Sequence, residues 1–311
     1  QQRKPFQAAH NPYVPNDFDA YRQYSEALAA RYGGTIDEWE VWNEPFFHMN
    51  AADYSRTLQA AYNGLKKGNP DCRVTGVSGA RTRHEAFIEQ VLKQTKGACL
   101  DALSLHFYTA PLPPETDLRP FLARVTEMMR NHGGVKPVWL TEIGWTGRDG
   151  PLIPATRPGG NQAPDRLLTE RLQAAYLVRS YAIALRAGIE RIYWFSFPSP
   201  EGRMYAWSLQ TPDTTLAPKK GAAAYGIMTR MLQDTRFAHA PMNGDTGVHA
   251  YRFSGKTRDV VVAWTEGRTA HLALRATSPL HARTLMGNPL TPLRQATTGD
   301  GETVFALGPV P

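Results

Sequence analysis

A chain of 311 residues, 42% hydrophobic with 7 Trp, 13 Tyr and 12 Phe, is long enough for one large domain plus a small one and can bury a sizeable core. No stretch approaches the roughly 20 uninterrupted apolar residues of a spanning helix, so no membrane span is expected. The net charge of +7 comes from 35 scattered Lys and Arg without a like-charge run, which argues against a nucleic-acid arm. A solvated basic surface and attraction to an acidic polymer are the two readings left.

The opening QQRKPF has no apolar core of a leader, so a leader either has been removed or never stood there. From Asn16 to Tyr32 apolar residues return at three- and four-residue steps, which predicts a helix capped by Asn16 and ended by Gly33-Gly34. A β-branched and aromatic strand, Ile36–Trp42, follows. Helix Ala51–Lys67 stops at Gly68-Asn69-Pro70, strand Arg73–Val77 leads to helix Arg83–Thr95, and strand Leu100–Phe107 to helix Asp117–Asn131. Strand Pro137–Thr141, a loop from Gly144 to Ala163, helix Pro164–Ala187, strand Glu190–Phe197 and helix Lys219–Leu232 complete the series.

Five nearly all-apolar strands alternating with helices imply right-handed βαβ units and a parallel sheet with helices outside it. No Gly-x-Gly-x-x-Gly or Gly-x-x-x-x-Gly-Lys is present, so a nucleotide-binding sheet would lack its phosphate loop. An α/β fold of the (β/α) TIM-barrel type fits better. Beyond about Thr235 the segments VHAYRFSG, RDVVVAWTEG, TAHLALRA and ETVFALG alternate between turn signals. They predict a division at 234/235, with residues 235–311 forming a small antiparallel, β-sandwich-like accessory domain.

The working groups of such a barrel sit where its strands end. Those ends supply Asn43 and Glu44, Ser78, His106 and Tyr108, Glu142, and Trp194 with Ser196. Two glutamates therefore end the first and fourth strands, each flanked by aromatics: Trp42 and Phe46 near one, Trp139 and Trp145 near the other. A carboxylate on an apolar strand needs a partner or a task, because desolvating the ion costs several kcal/mol. Ser78 lies in GVSGA rather than Gly-x-Ser-x-Gly, which gives a serine hydrolase little support. The histidines lack ligand spacing, so neither metal nor cofactor is expected.

Asn-Glu-Pro after a Trp-rich strand, followed three strands later by Thr-Glu-Ile-Gly-Trp, resembles the clan A retaining glycoside hydrolases. Glycoside hydrolase family 39 is the nearest likeness within that clan, partly because a small β-domain accompanies its barrel. The resemblance implies an acid/base at Glu44, a nucleophile at Glu142 and a sugar 2-hydroxyl contact at Asn43. It matches His106 and Tyr108 to a pair at the site and Trp194 to a platform for the sugar ring. Phe46 and Trp145 are further candidates to line it. The implied activity is cleavage of a β-glycosidic bond in β-xylosides, related glycosides or an exopolysaccharide. Arg148 and Arg157 in the long loop, with Phe47, Tyr205 and Trp207 nearby, would suit an acidic sugar or simply face solvent.

The resemblance also maps the five strands onto strands 4 to 8 of an eight-stranded barrel and leaves residues 1–234 as a partial barrel. An open sheet exposes two edges and part of an apolar inner face. A fragment of a longer enzyme, a short form covered by a second copy of itself, or plugging by the first residues and loops would each answer this, and a homo-oligomer is the favoured expectation. A carbohydrate-binding or scaffold protein with little turnover is the alternative function. Cys72 and Cys99 precede neighbouring strands, so a disulfide and two free buried thiols are both open. A bridge would suit a secreted or periplasmic place, and a cytoplasmic one is the other option.

Overall fold

The computed structural model describes residues 11–80, 84–147, 149, 168–197, 207–211, 215–276, 279–295 and 301–308. The elements run α1 (Phe18–Tyr32), β1 (Glu38–Val41), α2 (Ala51–Gly68), β2 (Arg73–Ala80), α3 (Glu85–Thr95), β3 (Ala102–Phe107), α4 (Leu118–Asn131), β4 (Val138–Ile143), α5 (Glu170–Arg186), β5 (Arg191–Trp194) and α6 (Lys220–Leu232). β1 to β5 form one five-stranded sheet in chain order, parallel along β1–β4, with β1 and β5 at its edges. The expected alternation is present, and the sheet is a half-barrel that stays open among the described residues.

Compactness divides the chain into two units, each gathered from several segments. One holds Gln1–Tyr108, Pro120–Ile143 and Ile189–Tyr193; the other holds Thr109–Arg119, Gly144–Gly188 and Trp194–Pro311.

In the first unit α1 begins one residue later than expected. Asp17, not Asn16, is its cap, and its carboxylate accepts from the Asp19 and Ala20 amides. α1 and α2 approach closely because α2 carries glycine at the crossing: a Cβ on Gly64 would lie 2.1 Å from the Arg22 carbonyl oxygen, and one on Gly68 2.2 Å from that of Glu26. The helix-facing side of the sheet is apolar. Leu58 of α2 reaches Gly76, Ile88 of α3 reaches Gly79, and Phe121 of α4 packs on Phe107.

The opposite face is more polar than expected, with Tyr193 in β5 its exposed aromatic residue at 46%. It carries Glu38, Glu40, Arg73, Trp139, Thr141 and Arg191; Arg73 and Arg191 are paired with carboxylates, and Glu40 accepts from hydroxyls. Arg73 forms two hydrogen bonds to Glu190, and Arg191 bonds Glu38. Both guanidinium groups also lie over the Trp139 ring, at 4.9 Å from its centroid. A sheet face built from ion pairs and hydroxyls is compatible with water, so openness by itself imposes no apolar cover.

Cys72 and Cys99 are buried free thiols, so the unbridged alternative holds. Burial is the first cause pushing both thiols above their ordinary range.

In the second unit α5 packs on α6. The Arg179 guanidinium on α5 makes a two-point contact with Glu115 at 2.7 and 2.6 Å, both side chains being only 7% exposed. The C-terminal strands are β6 (Thr235–Asn243), β7 (Val248–Gly255), β8 (Asp259–Thr265), β9 (Ala270–Arg275), β10 (Ala282–Arg283), β11 (Pro289–Leu290) and β12 (Glu302–Leu307). They make a three-stranded antiparallel sheet β6-β7-β8 and two antiparallel pairs, β9 with β12 and β10 with β11.

Candidate active site

β1 leaves the ladder at Val41, and the chain then turns through two left-handed residues, Trp42 (φ 70°) and Glu44 (φ 44°). For an L-residue each such conformation costs about 1–2 kcal/mol, so surrounding contacts must hold it. Pro45 next opens a 3-10 turn over Pro45–Phe47, for which its fixed φ is suited. The turn presents Glu44 at the sheet end instead of letting it continue the pleat.

Glu142 reaches the same place by another route. Leu105 pairs with Leu140, but His106 pairs with Glu142, so Thr141 is an extra residue in β4. Such a bulge re-aims the side chain beside it, and here Thr141 and Glu142 face the same side of the sheet.

His106 links the two carboxylates. Its Nδ1 lies 3.0 Å from Glu44 Oε1 and 3.4 Å from Glu142 Oε2, and the ring is 1% exposed. Nε2 is buried without a hydrogen-bond partner among the described residues. A proton on Nδ1 gives both acids a donor, whereas a proton on Nε2 would be stranded, so the geometry favours Nδ1–H. Tyr108 donates its hydroxyl to Glu142 Oε2. Burial and the neighbouring Glu142 charge push the Tyr108 hydroxyl far above its ordinary range, so it remains a donor.

The Glu142 carboxyl is itself raised. Burial is the main cause, opposed by the Tyr108 hydrogen bond and by His106, and reinforced by the charges of Glu44 and Glu40. The Tyr108 hydrogen bond and the electrostatic effect of His106 therefore favour the ionised form of a carboxylate that burial disfavours.

One oxygen or nitrogen of each of Glu44, His106 and Glu142 falls within 4.8 Å of the others, a spacing that would also admit a metal ion. The donor set fits poorly. Only one imidazole nitrogen points inward, and it already lies against two carboxylates, one of which accepts the Tyr108 hydrogen bond.

The remaining expected residues are placed as follows. Asn43 is exposed between the two left-handed residues. Phe46 is half-buried and stacks on His84 at 3.6 Å between centroids, while Phe47 beside it is 64% exposed. In the second unit Trp145 departs from the expected role. It is 0% exposed, donates its Nε1–H to the Leu112 carbonyl and packs against Tyr176, which leaves no open face for a sugar. Trp194 stacks on Trp145 at 6.1 Å and is partly exposed. Arg148, Arg157 and Tyr205 lie outside the described residues. Glu40 lies inside β1 rather than at a strand end, and its alternation with Glu38 around Trp39 is the signal in the sequence that marks it.

A family model described as glycosyl hydrolase catalytic core matches residues 48–219, which include His106, Tyr108 and Glu142 and begin just beyond Glu44. The chain is similar to the solved structure of a family 39 glycoside hydrolase from the gut symbiont Bacteroides cellulosilyticus WH2. Identity is 22% and the TM-score 0.70, over 96% of this chain and 62% of that one. It is also similar to a glucosidase from Croceicoccus marinus, at 17% identity and a TM-score of 0.59, covering 84% of this chain and 54% of the other. A family 51 alpha-L-arabinofuranosidase from Bifidobacterium longum gives 13% and 0.59, with 88% and 65% covered. At these identities the likeness is one of fold, and the chain spans less than two thirds of the length of each structure. No curated protein matches the chain.

Proposed function

The chain belongs to the glycosyl hydrolase catalytic core family, and from that premise we propose that it cleaves a β-glycosidic bond with retention, using Glu142 as nucleophile and Glu44 as acid/base. The observation that carries this reading is the approach of the two carboxylates, an oxygen of each lying within 4.8 Å around a shared histidine. Retaining glycosidases hold their carboxyls roughly 5–5.5 Å apart, whereas inverting ones leave about 6.5–9.5 Å for a water.

In the first step ionised Glu142 attacks the anomeric carbon while Glu44 gives its proton to the departing oxygen, forming a glycosyl-enzyme ester. In the second, Glu44 takes a proton from water, which attacks the same carbon and frees Glu142. Tyr108 steadies the nucleophile before attack. His106, hydrogen-bonded to Glu44 and 3.4 Å from Glu142, fixes their orientation through both steps. Asn43 is a hydrogen-bond partner for the sugar, and Phe46 offers it an aromatic face. The substrate class is a β-xyloside, a related glycoside or an exopolysaccharide. We further read the C-terminal sheets as a β-sandwich-like accessory domain, and the open edges β1 and β5 as the surface at which a second copy docks.

The test is incubation of the wild type and Glu142→Ala with a panel of nitrophenyl β-glycosides, neutral and uronic. Turnover that disappears in the variant supports the reading. Unchanged activity in Glu142→Ala sinks the nucleophile assignment, and sugar binding without hydrolysis by the wild type favours a carbohydrate-binding protein.

A further inference from the structure

We propose that Glu40 is a positioning residue that sets the separation of Glu44 and Glu142 by pinning the strand bulges beside them, a role that rests on the two-glutamate reading above. Glu40 is not at a strand end; it is the third residue of β1 and lies on the open face. Its Oε1 accepts from Ser78 Oγ at 2.8 Å and from Thr141 Oγ1 at 2.9 Å.

Those two hydroxyls belong to the irregular residues of the sheet. Thr141 is the extra residue of β4, and Ser78 lies in the register shift of β2 between Gly76 and Gly79. A bulged residue is unpaired in the ladder, so its side-chain bonds decide which way it points. Without an anchor on Thr141, a regular pleat would turn Glu142 to the helix side, because alternate residues face opposite ways.

The Ser78 end acts on the other glutamate. Val77 and Ser78 are left-handed, at φ 87° and 42°. The Ser78 amide donates to Ser104 Oγ at 3.0 Å, and Ser78 Oγ lies 3.3 Å from the carbonyl oxygen of Trp42, where the chain turns toward Glu44. One carboxylate oxygen thus joins β1, β2 and β4 across β3, the strand that carries His106. Hydrogen bonds to a charged acceptor are stronger than neutral ones, which suits them to hold strained backbone in place.

Because a single oxygen accepts both bonds, glutamine retains them and alanine does not. Three variants separate the possibilities: Glu40→Gln, Glu40→Ala, and the double variant Ser78→Ala with Thr141→Val, which leaves every charge in place. Crystal structures and kinetics on 4-nitrophenyl β-xyloside are the readouts. Glu40→Gln is expected to keep the nearest oxygens of Glu44 and Glu142 within 4.8 Å and to restore kcat. Glu40→Ala and the double variant should widen that gap and lower kcat about 10–100-fold at nearly constant KM, the scale expected of a misplacement near 1 Å.

The double variant carries the test if alanine at position 40 does not fold. A glutamine variant as impaired as alanine, or an unchanged separation in both disruptive variants, overturns the proposal. Glu142→Ala run alongside keeps the two ideas apart. If it stays active while the separation responds as expected, the two-glutamate reading fails and the positioning role stands.

Discussion

Replacing Glu190 by Gln tests the claim that ion pairs sustain the open sheet face. Arg73 donates to its two oxygens at 2.7 and 2.8 Å, and Trp139 Nε1 adds a third bond at 3.1 Å. These contacts, the Arg73 bonds first, hold the Glu190 carboxyl down at about 2 against an ordinary 4.5. Unscreened, such a depression converts to about 3 kcal/mol. The side chain is 39% exposed, so solvent removes much of it, and about 1–2 kcal/mol is expected at neutral pH.

The sign follows from the direction of the shift. A carboxyl depressed in the folded state stabilises fully above its unfolded value near 4.5 and loses that contribution as the pH falls toward 2. Urea unfolding of wild type and Glu190→Gln, followed by circular dichroism from about pH 7 to pH 3, reads this directly. The wild type should be the more stable by about 1–2 kcal/mol at pH 7, with a gap that narrows below pH 4.5. A gap independent of pH, or none at pH 7, would refute the reasoning.

Tyr108→Phe removes a donor from ionised Glu142, whose carboxyl burial already raises. The acidic limb of its kcat/KM profile should therefore move to higher pH, and a limb that stays or moves lower contradicts the assignment. Glu115→Ala strands the buried Arg179 charge and is expected to cost about 3–5 kcal/mol in urea unfolding. Lys67→Ala, which breaks a pair whose lysine is 64% exposed, should change stability by less than about 1 kcal/mol. Millimolar EDTA should leave hydrolysis unchanged, and a loss reversed by added zinc would show that Glu44, His106 and Glu142 hold a metal.

The alternation of strands and helices was legible because each strand carries apolar residues on its helix-facing side and each helix is periodic, and Glu44 and Glu142 stood out as acids among aromatics. Boundaries were less readable where the backbone departs from regular geometry. β1 stops at Val41 rather than Trp42 because Trp42 is left-handed, a state that its side chain does not announce. β6 went unread because Pro241 argues against a strand. It is tolerated there because β6 is an edge strand and its ladder is irregular between His239 and Met242.

The bulge at Thr141 depends on hydroxyl partners from strands far apart in sequence, and so does the role of Glu40. Trp145 was readable as an aromatic near a glutamate, but its burial is decided by Leu112, Tyr176 and Trp194, which only the fold brings to it.

The central claim is that Glu44 and Glu142 act as a retaining pair. Proton NMR of the first sugar released from a nitrophenyl β-glycoside, recorded before mutarotation, tests it most directly. The account predicts the β-anomer from the wild type and no product from Glu142→Ala; release of the α-anomer, or the same product from the variant, would contradict it.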